Sequence, residues 1–354
     1  MTLTARPRAV VLTALLLWTS TSCGGHRPPV TAEPATPKAA PLATAALDSA
    51  WAMSVLSALA DDSMQGRGTA TPGGDRAARF IADRMREYGL VPAGDSGFFQ
   101  FVPLSAATDS TGRRHLALVT GDETPAATVR AVNVVGMVRG ADPALRDQVI
   151  LIDAHYDHLG IGPAVNGDSI YNGADDDGSG VVAVLGAARA LAAGPPPRRT
   201  VLFLTTTGEE LGLLGTRWYL EHPVVPLERT VANLEIEMIG RPDSLAGGPG
   251  KGWLTGFERS TMGPTLAKAG LPIVADPHPA QHFYMRSDNI AFARRGIPAH
   301  TLSSYGLHQD YHTPADEVSR IDGKHLATMV QAAAQAARLL ADGDIPTWNP
   351  GGRP

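Results

Sequence analysis

The 354-residue chain has one cysteine, Cys23, so no intramolecular disulfide can brace it. Positive charge is also short: 30 Lys and Arg stand against 35 Asp and Glu, a formal charge of −5, with no long basic run beyond the N-terminus. A nucleic-acid partner is therefore not expected, since such proteins carry a clustered basic footprint. Neither His-Glu-x-x-His nor Gly-x-Ser-x-Gly occurs, which removes the helix-borne zinc motif and the serine nucleophile elbow. The apolar stretch near the start, Ala9 to Trp18, is too short to span a bilayer as a mature helix.

That stretch follows Arg6 and Arg8 and gives way to small polar residues, the arrangement of a secretory signal. A sole cysteine directly after it resembles a bacterial lipidation site, although Ser20 stands where an aliphatic residue is usual. Residues 1–23 are accordingly read as a leader. Residues 24–45 are read as a Pro/Ala-rich linker, because a stretch with Pro28, Pro29, Pro34, Pro37 and Pro41 cannot bury enough apolar surface to fold. The folded domain is expected over 46–345, with a tail at 346–354. The chain should then be exported, periplasmic or extracellular, and any membrane attachment should run through a lipid on Cys23. The alternative is simple export with the cysteine removed.

Hydrophobic content of 44% suffices for a large core. From Ala131 onward, strand-like runs (132–138, 149–154, 201–206, 231–239, 298–302) alternate with helical ones (181–193, 211–220, 262–269, 289–294, 324–340). Such alternation predicts an α/β fold, a three-layer α/β/α sandwich around a central, mainly parallel mixed sheet. Sites in these sheets form beyond the carboxyl ends of the strands.

The chemistry-bearing residues follow that rule. A buried run ends in His155-Tyr156-Asp157, and soon after comes Gly173-Ala174-Asp175-Asp176-Asp177-Gly178-Ser179-Gly180. Three adjacent carboxylates repel one another and are costly to bury without a compensating positive charge. An Asp-rich turn is the plain alternative. A calcium loop fits poorly, since EF-hand acids alternate with other residues and end in a distant Glu. Glu209-Glu210 follow the next strand, Glu237 is read inside the third, and His312 falls in a loop after the last. Imidazole and carboxylate together are zinc-type donors, and there are enough of them for two ions. Asp157 could accept from the His155 imidazole and fix its tautomer.

Four pieces in order carry a family resemblance: Ala154-His155-Tyr156-Asp157, the Gly173–Gly180 stretch, Gly208-Glu209-Glu210 with Gly212-Leu213-Leu214-Gly215, and Tyr311-His312-Thr313-Pro314. Together they resemble the bacterial secreted aminopeptidases of the M28 metallopeptidases, over about Ala131 to Ile321, with a looser likeness at Gly66-Arg67-Gly68. The resemblance implies the zinc-peptidase fold, two co-catalytic zinc ions per chain and a peptide substrate with a free N-terminus. It implies His155, Asp176 and Glu237 as ligands of one ion, and Asp176, Glu210 and His312 as ligands of the other. The family often has Asp where this chain has Glu237.

It further implies a cis Asp176-Asp177 bond, Glu209 as the general base for a bridging water, and Tyr311 as an oxyanion donor. Ser287-Asp288-Asn289 resembles the family's Ser-Asp-His segment with Asn in the last place, and is left without a role. His158, His282 and His308 are read as structural or rim residues. Two other readings compete: a single-zinc glutaminyl cyclase-like acyltransferase of the same fold, and a non-catalytic, tethered binding lipoprotein.

Overall fold

The structure, a computed structural model, describes residues 47–110, 114–119 and 128–354. The leader, the Pro-rich linker and Cys23 lie outside the described residues. The strands are β1 (Val91–Pro92), β2 (Phe99–Thr108), β3 (Arg114–Leu118), β4 (Thr128–Val138), β5 (Val149–His155), β6 (Gly160–Val165), β7 (Asp168–Tyr171), β8 (Thr200–Thr206), β9 (Thr230–Ile236), β10 (Gly252–Leu254), β11 (Ile273–Ala275) and β12 (Ala299–Ser303). Ten of them form one sheet, in the order β11-β10-β12-β9-β5-β8-β4-β2-β3 with β1 on β4, while β6 and β7 form a separate hairpin.

The four central strands β12, β9, β5 and β8 run parallel. Beyond them β4, β2 and β3 pair antiparallel. On the other side β10 pairs antiparallel with β12 and parallel with β11, so the sheet is mixed, with its parallel strands in the middle.

β5 explains why both faces are covered, because every one of its residues is buried. Ile150, Ile152 and Ala154 point into the core shared with helices α1 (Ser49–Leu59), α2 (Pro72–Glu87), α3 (Gly180–Ala193) and the long helix Gly323–Asp342. Val149 and Leu151 point the other way, towards residues such as Tyr219 of the helix Leu214–Glu221 and Phe292 of the helix Asn289–Arg294. A strand that is apolar on both faces needs helices on both. α3 is apolar apart from Arg189 and buried over most of its length, between the sheet and the helix Gly323–Asp342. The contact is close: a Cβ added at Gly186 would sit 2.4 Å from Cγ1 of Val330.

Two details differ from the sequence reading. β9 ends at Ile236, so Glu237 lies one residue past the strand, and it is Glu235 that occupies the inner position. The segment read as a tail is bonded to the body, with the Trp348 indole donating to the Gly296 carbonyl at 2.9 Å and the Asn349 amide to the Glu258 carbonyl at 2.8 Å.

The parallel strands all point one way, so their carboxyl ends share an edge. His155 ends β5, Glu209 and Glu210 follow β8, Glu237 follows β9, and the segment after β12 leads to His312.

Candidate metal centre

The acidic stretch folds so that one of its three carboxylates is left to face the histidines. Asp175 Oδ1 accepts from the Gly240 amide at 2.7 Å, and Asp177 Oδ1 accepts from the amides of Gly180 and Met238 at 3.0 Å each. Those two acids brace the loop. Asp176 is free of such bonds through its side chain, and the Asp176-Asp177 peptide is cis. The backbone amides of Asp175 and Asp176 donate to the Asp316 carboxylate at 3.0 to 3.1 Å.

Beneath the loop lies a buried arginine. Arg67 donates to five carbonyls, those of Tyr156 (2.8 Å), Leu59 (3.1 Å), Asn172 (2.5 Å), Gly173 (2.7 Å) and Asp176 (3.5 Å). Its guanidinium also lies within the field of Asp316, Asp176, Asp177 and Asp157.

Around Asp176 the described residues form two groups whose donor atoms lie within 4.8 Å of one another: His155, Asp176 and Glu237, and His158, Asp176, Glu210 and His312. His155 Nε2 is 3.3 Å from Asp176 Oδ1, and His312 Nε2 is 3.1 Å from Asp176 Oδ2 and from Glu210 Oε2. Both Nε2 atoms are buried without a hydrogen-bond partner. Buried imidazole nitrogens rarely stay unpaired. Lone pairs turned towards a shared carboxylate are what a zinc-type ion requires, so these residues fit a pair of such ions.

The electrostatics agree. Burial drives the Glu209 carboxyl well above its ordinary range, and burial together with nearby Glu235 lifts Glu237 to about 8. Burial would lower His312, but the nearby Asp176 and Glu210 carboxylates outweigh it and raise the imidazole to about 10. Asp176, although buried, is held well below its ordinary value by His155 and His312. Carboxyls buried and crowded in this way would be held in the ionised form by a bound cation.

Asp157 differs from its expected role. His155 Nδ1 meets the Asp157 backbone carbonyl at 3.1 Å, while the Asp157 carboxylate stands 3.9 Å off. That carboxylate instead accepts from the Thr69 hydroxyl at 2.9 Å and the Glu209 amide at 3.1 Å. Asp157 therefore fixes the turn that carries Glu209, a turn flanked by Gly208 and Gly212 with φ of 73° and 94°. The His155 tautomer is set by main chain.

Glu209, Glu210, Glu237 and Asp176 line a cavity together with Trp253 and Phe283, whose rings stack at 5.3 Å. Tyr311 also lines it and stacks on His312 at 3.8 Å. Behind Glu237, Glu235 accepts from the amides of Asp288 (3.0 Å) and Asn289 (3.1 Å) and from the Ser287 hydroxyl. The unassigned Ser287-Asp288-Asn289 segment thus anchors the buried acid behind the centre. Asp288 accepts in turn from the Thr206 hydroxyl at 2.6 Å.

His158, read as structural or rim, lies within the second group of possible donors, with Nδ1 2.8 Å from Glu210 Oε1. The signal available was its place three residues after His155, but that spacing past a strand end does not say which way a side chain turns. His308 meets Asp175 at 3.1 Å, not Asp176.

The model of Peptidase family M28 matches residues 133–337. The chain is 31% identical over 172 residues to the probable leucine aminopeptidase 2 of Aspergillus oryzae, covering 47% of this chain and 32% of that protein. It is 30% identical over 172 residues to leucine aminopeptidase 2 of Trichophyton rubrum, with the same coverage. The chain therefore spans about a third of the length of these curated relatives. Among solved structures it resembles an aminopeptidase from Aneurinibacillus sp. strain AM-1 (TM-score 0.59, 15% identity, 85% of this chain and 96% of that one). It also resembles a zinc aminopeptidase from Bacillus subtilis (TM-score 0.58, 17% identity, 83% and 95%).

Proposed function

The chain belongs to peptidase family M28, and from that premise we propose that it is a zinc-dependent aminopeptidase removing N-terminal residues from peptides. The observation that carries the proposal is the shared carboxylate: Asp176 offers one oxygen to His155 and the other to His312, each imidazole with an unpartnered nitrogen. His155, Asp176 and Glu237 would hold one zinc ion, and Asp176, Glu210 and His312 a second. When bound, a zinc pair lowers the pKa of water and polarises the scissile carbonyl.

Glu209 would act as general base. Burial makes its carboxyl a ready proton acceptor, and Asp157 fixes its backbone amide. It would take the proton of the attacking water and return it to the leaving amine. Tyr311, held against His312, would donate its hydroxyl to the oxyanion. The acids lining the cavity suit a cationic N-terminal amine.

Two ligand groups rather than one favour this reading over a single-zinc cyclase, and the presence of Glu209 favours it over a binding protein. Arg6, Arg8, the apolar stretch and Cys23 support export with a lipid anchor. Replacing Cys23 with Ala should then release the protein from the membrane fraction, and an unchanged distribution would refute the anchor.

The test of the activity is hydrolysis of aminoacyl and N-blocked peptides alongside zinc content on the same sample. Two zinc ions and cleavage of unblocked substrates only are expected. Glu209→Gln should lower kcat by roughly 10²- to 10⁴-fold while keeping its zinc. Full activity in that variant, or a zinc-free protein, would overturn the reading.

A further inference from the structure

His158 is fully buried, and its Nδ1 lies 2.8 Å from Glu210 Oε1 and 3.8 Å from Asp176 Oδ2. Its other nitrogen, Nε2, is buried with no partner. A neutral imidazole has one N–H and one lone pair, so the two nitrogens constrain each other. Histidines that ligate a metal almost always donate their second N–H to a carboxylate, carbonyl or water. His155 follows that pattern, with Nδ1 on the Asp157 carbonyl and Nε2 turned to Asp176.

His158 does not follow it. If its Nδ1 bound metal, the proton would have to sit on Nε2, buried and unpaired. With the proton on Nδ1 the N–H is satisfied by Glu210 Oε1, and the bare lone pair at Nε2 is the milder group to bury. We therefore propose that His158 is a positioning residue, donating Nδ1–H to Glu210 Oε1 so that Oε2 faces His312 and the metal, and is not itself a ligand.

Two further observations agree. Glu210 divides its oxygens, Oε1 to His158 and Oε2 to His312 at 3.1 Å. The ring is seated against Gly173 (φ 58°), where an added Cβ would lie 2.5 Å from His158 Cγ. A fourth protein ligand would also close the coordination that a catalytic zinc site keeps open for water.

The inference rests on the zinc reading above. Its test compares His158→Asn, whose amide nitrogen can stand in for Nδ1, with His158→Gln, whose amide reaches only the Nε2 place, and with His158→Ala. Zinc affinity by chelator competition and the visible spectrum of the cobalt-substituted protein are read on the full chain. The Asn variant should keep both metals and the wild-type cobalt spectrum. The Gln and Ala variants should lose roughly 10- to 100-fold in affinity for one ion, as is usual when a ligand loses its supporting partner.

An Asn variant whose cobalt spectrum reports a lost nitrogen ligand would overturn the proposal, as would equal losses in Asn and Gln or no loss in any variant. Should the Ala variant not fold, the Asn–Gln pair decides alone. A wild-type chain that binds no zinc would take down both this proposal and the reading beneath it, whereas zinc-loaded variants of equal affinity would remove this one only.

Discussion

The two groups that share Asp176 are built differently. His155 and Glu237 come from the ends of adjacent parallel strands, and the His155 side chain is 1% exposed. Glu210 and His312 come from loops, and the His312 side chain is 34% exposed. Sheet register places the first group almost without help. The second depends on added devices: the Tyr311 ring stacked on His312, the His158 contact to Glu210, glycine turns on both sides of Glu209 and Glu210, and a positive φ of 57° at His312. A ligand carried by a strand inherits the rigidity of the core, whereas a ligand carried by a loop has to be held by its neighbours.

The contrast breaks most completely at the shared residue. Asp176→Ala should reduce zinc from the proposed two ions to none and activity to background, measured by elemental analysis and peptide hydrolysis. One tightly held ion surviving would show that the groups are independent. Tyr311→Phe comes next: the ring and its stacking on His312 stay, so zinc content should hold while kcat falls roughly 100-fold, as when an oxyanion donor is removed. Loss of zinc instead would mean that the hydroxyl serves the ligand loop.

A subtler test is the order of release. Under graded chelator the ion held by Glu210 and His312 should leave first, and His312→Asn should speed that phase alone. Two ions leaving together would erase the distinction between strand and loop.

The smallest effect on turnover lies outside both groups. His300 on β12 is buried between the Ser260 hydroxyl (2.6 Å) and the Thr255 carbonyl (2.7 Å), and burial holds its imidazole down at about 4. A histidine with a depressed folded pKa stabilises the protein above its unfolded pKa, near 6.5, and that contribution is lost as pH falls towards 4. The loss is about 3 kcal/mol for a shift of this size. His300→Asn should flatten the pH 6.5-to-4 part of the melting profile and leave neutral-pH activity unchanged, and an unaltered slope would refute it.

Much of this arrangement could be read from the sequence because the candidate ligands sit at ends of apolar runs. His155, Glu209, Glu210 and Glu237 lie just at or after buried strands, and parallel strands must bring such positions to one edge. What could not be read is direction and distance. Asp157 offers its main chain to His155 and its side chain to the Glu209 turn, a choice that rotates about single bonds and leaves no trace in spacing. His158 was legible as a histidine but not as a neighbour of Glu210, 52 residues away. Arg67 is 89 residues from Tyr156 and 109 from Asp176, and no local pattern announces such a contact.

Arg67 reaches its loops only through their carbonyl oxygens. An anchor that recognises main chain is blind to side-chain identity. Its grip on the acidic loop is thereby independent of composition, whereas Asp175 and Asp177 hold the same curve through their side chains. The cost falls elsewhere, on an N-terminal segment remote in sequence. Without Arg67, five main-chain carbonyls around the centre would lose their shared donor, though it precedes His155 by almost ninety residues.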